Sequence, residues 1–332
     1  MLDVTAAGWT AALVALAALF GFDLLRSARH PHAVGFREAV VWSVVYIAVA
    51  LLFGVVFGAI AGWKFGAQYF TGYIVEKSLS VDNLFVFLII MSTFSVPADQ
   101  QAGALTIGIV AALVMRAIFI AAGAALLNAF SIMFLVFGLV LAVTAVQLFR
   151  HRDEDPSVDD NVLVSAARRL LPITSEYAGP RIVVRAQGRR ALTPLFLVLI
   201  AIGSTDLLFA LDSIPAVFGV TQHAYIVFVA NAFALLGLRA LFFLVSGLLD
   251  RLVYLSAALA LILGFIGLKL VLHYLHLQNH SIPEISTGLS LAVIIVLLVG
   301  ATTASVLKTR QDPALRAHAG RLRERRDREP SK

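Results

Sequence analysis

The sequence predicts an all-α protein that crosses a lipid bilayer about nine times and contains an inverted repeat of two three-helix units. Three observations lead to this fold class: the hydrophobic fraction, the recurrence of apolar runs long enough to span a membrane, and the placement of the basic residues. Of the 332 residues, 60% are hydrophobic and 14% are charged, whereas soluble domains have about one-quarter charged residues. A chain of this composition indicates a protein that lies in lipid.

Apolar runs of the required length occur along most of the chain. A helix needs roughly 20 apolar residues to cross about 30 Å of hydrocarbon. The predicted spans are 6–25, 38–62, 68–94, 103–127, 129–149, 193–217, 224–249, 252–276 and 285–307. The first is interpreted as an uncleaved helix rather than a signal peptide, because Asp3 precedes it and Arg26 follows it. The transmembrane domain is therefore predicted to cover residues 1–307.

The basic residues predict the orientation. They concentrate in 26–37, 150–190 and the tail 308–332, which all fall on one side if the chain crosses nine times. Because cytoplasmic loops are enriched in Lys and Arg, the N-terminus is expected outside and the C-terminus in the cytoplasm, with the protein in the plasma membrane, the inner membrane of a bacterium. The net charge of +6 is thus a topology signal, with membrane lipid and not nucleic acid as the expected contact.

Several chemistries are excluded or disfavoured by what the chain lacks. It has no cysteine, which removes disulfides, thiolate metal ligands and cysteine nucleophiles. It has no GxxxxGK[ST] motif for a nucleotide, and Ser131 and His151 form no recognisable catalytic triad. We therefore expect no enzymatic activity and no resident cofactor.

Two segments, 68–149 and 193–276, share polar landmarks in the same order, which indicates an internal repeat. Each begins with two acids six residues apart and continues with an arginine that is followed by Ala, then Ile or Leu, then Phe. The pairs are Glu76 with Asp82, Asp206 with Asp212, and Arg116 with Arg239. Gln147 then follows Arg116 by 31 residues, and Lys269 follows Arg239 by 30. In the predicted topology the two units run in opposite directions and are joined by the cytoplasmic loop 150–192, an arrangement common in secondary transporters.

The six-residue spacing predicts that the acid-bearing helices are interrupted. On an ideal helix two such residues stand about 120° apart, so a straight helix would not direct both side chains to one point. Candidate interruptions are 71–72 and 78–83 in the first unit, and 203–205 and Pro215 in the second. Interrupted helices free backbone carbonyls that can bind a cation.

Four acids inside apolar spans have two competing explanations. Each buried charge costs about 2.5–3.5 kcal/mol on insertion scales, so each requires a partner or a function. The acids could coordinate an ion or proton, or they could form salt bridges with bases that lie within the same spans: Lys77, Arg116, Arg239 and Lys269. Asn231 could be a further ligand or could only join helices by hydrogen bonds. Asp23 is expected to pair with Arg26 near the end of the first helix.

Long motifs in these segments resemble a known family. They are Thr71-Gly72-Tyr73 with Glu76-Lys77-Ser78-Leu79-Ser80-Val81-Asp82-Asn83, Thr193-Pro194-Leu195, the run DLLFALDSIPA at 206–216, and Asn231 to Arg239. The chain resembles the TerC/Alx family, within the LysE-like transporter superfamily, from the first helix to about residue 307. The resemblance implies manganese export and a link to tellurite resistance. It also implies that Glu76, Asp82, Asp206 and Asp212 are ion ligands, with Asn83 and Ser213 as neutral neighbours.

Two positions depart from the family pattern and leave the coordination number and ion preference open. Many relatives have a glutamate where this chain has Gly203, and a lysine where it has Gln147. The leading hypothesis is an alternating-access Mn2+ exporter, with proton coupling as a further expectation and the buried bases neutralising the empty site. Two alternatives remain: an exporter of another small solute, and a membrane partner that assists insertion or metal loading of other proteins through loop 150–192.

Overall fold

The computed structural model describes residues 4–29, 35–150, 162–174, 176–179, 181–186, 189–245 and 254–311. Eleven helices and one hairpin form in these ranges. The helices are α1 (Ala6–Arg29), α2 (Phe36–Ala61), α3 (Trp63–Thr93), α4 (Ala98–Ala129), α5 (Ile132–Arg150), α6 (Val162–Leu170), α7 (Pro194–Phe218), α8 (Ala224–Leu235), α9 (Leu238–Val245), α10 (Leu255–Gln278) and α11 (Thr287–Gln311). The hairpin pairs β1 (Val183–Ala186) with β2 (Arg189–Leu192).

The length and apolar composition of the helices identify an all-α, multi-pass membrane protein, as predicted. Within the described ranges, seven helices are long and apolar enough to cross a membrane, namely α1, α2, α4, α5, α7, α10 and α11. The pair α8 and α9 would add an eighth span if it crosses as one bent unit. The remaining predicted span is α3, which is 31 residues long but carries Lys64, Glu76, Lys77 and Asp82. The predicted count of nine therefore stays a prediction.

The predicted interruptions of the acid-bearing helices are wrong, because α3 and α7 are both continuous. The hydroxyls that suggested breaks bond to carbonyls of their own helix: Thr71 donates to Ala67 O at 2.7 Å and Ser78 to Ile74 O at 2.6 Å. Such internal bonds allow a hydroxyl to lie in an unbroken helix within an apolar environment. Pro215 lies in the last turn of α7, which ends at Phe218, so its missing N–H removes one hydrogen bond near the helix end.

The interruption lies instead between α8 and α9, inside the predicted span 224–249. The two helices meet at an angle of 42°, and Gly237 between them has a φ of 76°, a backbone conformation that glycine adopts without strain. A Cβ at this position would lie 2.6 Å from the ring of Tyr46. Both the turn and the approach of α2 therefore require glycine here.

Three apolar clusters hold the helices together. One joins α5, α10 and the end of α7, a second joins α3, α4 and the start of α7, and a third joins α1, α2, α3 and α8. The extensive pairings are α3 with α8, α4 with α7, and α5 with α10. An exchange of two three-helix units about a twofold axis would produce these pairings, which agrees with the proposed repeat but does not establish its inverted orientation.

The connection between α5 and α7 folds against one end of this bundle. Val164 and Ala167 of α6 are buried in the second cluster beside Leu195, and Tyr177 donates a hydrogen bond to Phe94 O at 2.7 Å. Burial raises the pKa of the Tyr177 hydroxyl. This connection therefore ties the end of α3 to the start of α7.

We expect Gly267→Val to destabilise the protein by about 1–3 kcal/mol or more, because α5 and α10 pack backbone against backbone at this point. A Cβ on Gly267 would lie 2.9 Å from Gly138 O and 3.2 Å from Ala142 N. Thermal unfolding in detergent measures the effect. Gly264→Ala on the same helix is the matched control, since its Cβ would meet only Ala145 Cβ at an ordinary 3.6 Å. Equal unfolding temperatures for the two variants would contradict this packing.

Candidate cation site

A fully buried arginine lies between two of the predicted acids. Arg116 on α4 pairs through Nη1 with Glu76 Oε1 on α3. Its Nη2 donates to Asp206 Oδ1 on α7 at 3.0 Å, and its Nε donates to Asp206 Oδ2 at 3.3 Å. Nη1 also lies 3.4 Å from Ser213 Oγ. We call Glu76, Arg116 and Asp206 the arginine centre, which joins three helices through charged hydrogen bonds.

The arginine centre contains two carboxyl groups but one guanidinium. Glu76 and Arg116 are 0% exposed and Asp206 is 2% exposed, so two carboxylates share one guanidinium away from water. Asp206 uses both oxygens on Arg116, whereas Glu76 Oε2 has no hydrogen-bond partner among the described residues. The same is true of Ser80 Oγ, one turn further along α3. Since buried polar atoms are normally satisfied, these two oxygens are candidate contacts for a water molecule or a cation.

Asp212, the second predicted acid on α7, lines a separate cavity beside the arginine centre. Thr144 Oγ1 on α5 donates to Asp212 Oδ1 at 2.8 Å. The cavity has a volume of about 270 Å³ and is lined by Leu79, Asn83, Thr144, Gln147, Leu148, Phe209, Asp212, Ser213 and Leu263. Ser213 belongs to both places, because its hydroxyl contacts Arg116 and also lines the cavity. Among the described residues, one carboxylate, two amides and two hydroxyl-bearing side chains thus line a space large enough for an ion with several waters.

The structure separates the predicted ligands into two groups. Glu76 and Asp206 converge on Arg116, while Asp212 joins Asn83 and Ser213 at the cavity. Because α7 is a regular helix, its two acids point in different directions, as their six-residue spacing requires. The side chain of Asp82 lies outside the described residues. Among the part of the chain that is described, no three His, Asp or Glu side chains are placed to share a metal ion.

The four predicted bases have different partners. Among the predicted acids whose side chains the structure describes, Glu76 and Asp206 pair with Arg116 and with none of the other three bases. Lys77 Nζ donates to Ala234 O at 2.9 Å, and Arg239 pairs with Asp23 at 2.9 Å. Lys269 is 8% exposed and makes no ion pair with a carboxylate that the structure describes. The expected pair of Asp23 with Arg26 is wrong, because Asp23 also accepts a hydrogen bond from Tyr46 while Arg26 pairs with Glu38.

Sequence reasoning missed two side chains of this region and left one undecided. Thr144, which donates a hydrogen bond to Asp212, lies one turn before Gln147 on α5. This spacing was the only feature of the sequence that could have indicated that Thr144 belongs to the site. Ser80 lies one turn after Glu76 and was noticed only as part of a motif. Asn231 is 1% exposed, and neither polar atom of its amide has a partner among the described residues. Both explanations offered for Asn231 therefore stay open.

The chain is similar to known membrane proteins over the segments that contain the candidate site. A family model described as the integral membrane protein TerC family matches residues 61–313. An uncharacterized membrane protein of Mycobacterium tuberculosis is 45% identical over 318 residues, which cover 91% of this chain and 79% of that protein. The thylakoid membrane protein TERC of Arabidopsis thaliana is 40% identical over 254 residues, or 76% of this chain and 66% of that protein.

A third relative, from Photorhabdus laumondii, is named as a proposed membrane-bound redox modulator, Alx, and is 36% identical over 299 residues, 86% of this chain and 93% of that protein. No solved structure matches the chain. The matched segment begins two residues before α3 and ends two residues after α11, so it contains the arginine centre and the Asp212 cavity. The chain therefore belongs to the TerC family of integral membrane proteins.

Proposed function

We propose that the chain is a membrane transporter that exports a hard divalent cation, with Mn2+ as its substrate. The observation that carries this proposal is the position of Arg116, whose guanidinium lies between two buried carboxylates beside a cavity that contains a third. Purely structural ion pairs need no adjoining polar cavity. A transport site does, because the ion must reach its ligands from water.

In this proposal Arg116 is a built-in replacement for the cation. While the guanidinium is bound, the charges of Glu76 and Asp206 are partly neutralised and the ion-free protein avoids two unpaired carboxylates in an apolar interior. Movement of Arg116 would free oxygens of Glu76, Asp206 and Ser213 next to the Asp212 cavity. An ion waiting in the cavity could then exchange places with the guanidinium.

The ligand chemistry favours a hard ion. The candidate ligands are carboxylate, hydroxyl and amide oxygens, which suit Mn2+, Mg2+ or Ca2+. The chain has no cysteine, so it offers no thiolate to a soft metal such as Cu+. For the same reason its own side chains cannot carry out thiol–disulfide exchange, and any effect on cellular redox state would act through the transported ion.

Access to the site is proposed to alternate between the two sides of the membrane. The pairing of α3 with α8, α4 with α7 and α5 with α10 is compatible with two units that rock against each other. We place the N-terminus outside and the C-terminus in the cytoplasm of a bacterial inner membrane, with inward proton movement as the coupled flux. The protein is proposed to have no enzymatic activity.

The manganese content of cells that lack their own manganese exporter tests the function. Cells are loaded with Mn2+ and compared with and without the chain at equal growth, and the same comparison is repeated for Mg2+, Ca2+, Zn2+ and Co2+. We expect the chain to lower cellular manganese more than any other metal. If the cellular content of another metal falls selectively, that metal and not Mn2+ is the exported ion. If the cellular contents of all five metals are unchanged, the proposal is contradicted.

A further inference from the structure

The break between α8 and α9 frees backbone carbonyls inside the bundle. In a continuous helix the carbonyl of residue 234 would accept from the N–H of residue 238, and that of 236 from 240. The turn at Gly237 prevents both bonds, because α8 ends at Leu235 and α9 begins again at Leu238. Ala234, Leu235 and Leu236 are at most 1% exposed, so water cannot easily satisfy these oxygens.

A lysine side chain from another helix satisfies them. Lys77 Nζ on α3 donates to Ala234 O at 2.9 Å and lies 3.5 Å from Leu236 O. Lys77 makes no ion pair with any carboxylate that the structure describes, so its ammonium group is held by backbone carbonyls at the negative end of the α8 dipole. Carbonyls of unwound backbone together with the C-terminal end of a half-helix form cation sites in other transporter folds.

A second feature on the same helix marks this region as polar. Asn231 lies one turn before Ala234 on α8, and neither the nitrogen nor the oxygen of its buried amide has a partner among the described residues. Residues three apart lie on the same face of a helix. An unsatisfied amide therefore lies on α8 one turn before the end of the helix, on the face that also carries residue 234.

We propose that the C-terminal end of α8 is a binding site for a small monovalent cation, and that Lys77 occupies it as a tethered ammonium group. The backbone oxygens of this site differ from the side-chain oxygens proposed for the exported ion, so the inference goes beyond the proposed function and does not depend on it. The wild-type protein needs no dissolved monovalent cation at this place, because its own side chain supplies the charge. Removal of the ammonium group opens the site to Na+, K+ or methylammonium.

Thermal unfolding of the purified full-length chain in detergent tests the site without any transport assay. Lys77→Ala and wild type are compared at one ionic strength in chloride salts of Na+, K+, methylammonium and the bulky N-methylglucamine. We expect Lys77→Ala to unfold at a lower temperature than wild type in N-methylglucamine and to regain several degrees, saturably, with at least one small cation, as mass action requires. Wild type should show equal unfolding temperatures in all four salts.

Two controls separate a cation site from a general effect of losing a lysine. Lys269→Ala removes a buried lysine from the continuous helix α10 and should respond equally to all four salts. Because the chain contains no cysteine, Lys77→Cys gives a single thiol. Its alkylation with 2-bromoethylamine restores an ammonium group at the original distance from Cβ, whereas iodoacetamide adds a neutral amide.

Only the amine-bearing adduct should restore the wild-type behaviour. If the Ala and Cys variants do not accumulate as folded protein, Lys77→Gln is measured in the same salts, since its amide retains a donor for one carbonyl but no charge. The proposal is overturned if the folded Lys77 variants show no cation response, or if Lys269→Ala shows the same response. It is equally overturned if both adducts behave alike.

Discussion

Replacement of Arg116 by alanine is expected to destabilise the folded protein by about 3–5 kcal/mol, the cost of removing one partner from a buried ion pair. Two carboxylates would remain inside the bundle, since Glu76 and Asp206 have no other cation within 4.0 Å in the part of the chain that is described. The change is measured as thermal unfolding in detergent and as the amount of folded protein in the membrane.

A rescue experiment shows whether charge is the cause. Arg116→Gln combined with Glu76→Gln and Asp206→Asn removes all three charges, and this triple variant should recover most of the lost stability while losing transport. Arg150→Ala removes an exposed arginine at the end of α5 and should change stability little. An Arg116→Ala protein that is as stable as Arg150→Ala would contradict the arginine centre.

Asp212→Asn is expected to lower the rate of Mn2+ export at least about tenfold, while the protein remains folded. Asn has nearly the same shape as Asp and can still accept the hydrogen bond from Thr144, so the stability change should stay below about 1 kcal/mol. What disappears is the negative charge of Asp212, the one carboxylate among the described side chains that line the cavity. Efflux of Mn2+ from preloaded cells at equal membrane abundance gives the rate.

Thr144→Val is the matched comparison for Asp212→Asn. It removes the hydroxyl that orients the carboxylate but keeps the charge, so we expect a smaller loss of export than for Asp212→Asn. The two variants together distinguish charge from local geometry. Export by Asp212→Asn at the wild-type rate would exclude the cavity from the ion path.

The sequence predicted the membrane class, and Glu76 and Asp206 are buried as expected, but it did not predict the position of the helix break. Small and hydroxyl residues have two uses in membrane helices, as interruptions and as close-packing positions. Gly72 was predicted to interrupt its helix but is a close-packing position, since a Cβ there would lie 3.1 Å from Val217 Cγ1. Gly237 is the true break, yet its sequence surroundings, Leu236 and Leu238, resemble those of any apolar helix. Only the approach of Tyr46 from α2 distinguishes it.

The partners of the buried bases also depended on tertiary structure. Arg116 and Arg239 occupy corresponding places in the proposed repeat, so the sequence predicts the same role for both. The turn at Gly237 comes two residues before Arg239, and that arginine pairs with Asp23 on α1, whereas Glu76 and Asp206 pair with Arg116. Arg116 lies on an uninterrupted helix and reaches both acids. The two arginines of the proposed repeat therefore do not lie in equivalent sites.

The most direct measurement of the central claim is the uptake of radioactive Mn2+ into liposomes that contain only the purified chain, compared with liposomes that contain folded Asp212→Asn protein. If the chain itself moves the ion through its buried carboxylates, the wild-type liposomes should accumulate Mn2+ well above protein-free liposomes and the variant liposomes should not. Uptake at the protein-free level by folded wild-type protein, with and without a proton gradient, would contradict the account and favour a membrane partner that acts on other proteins.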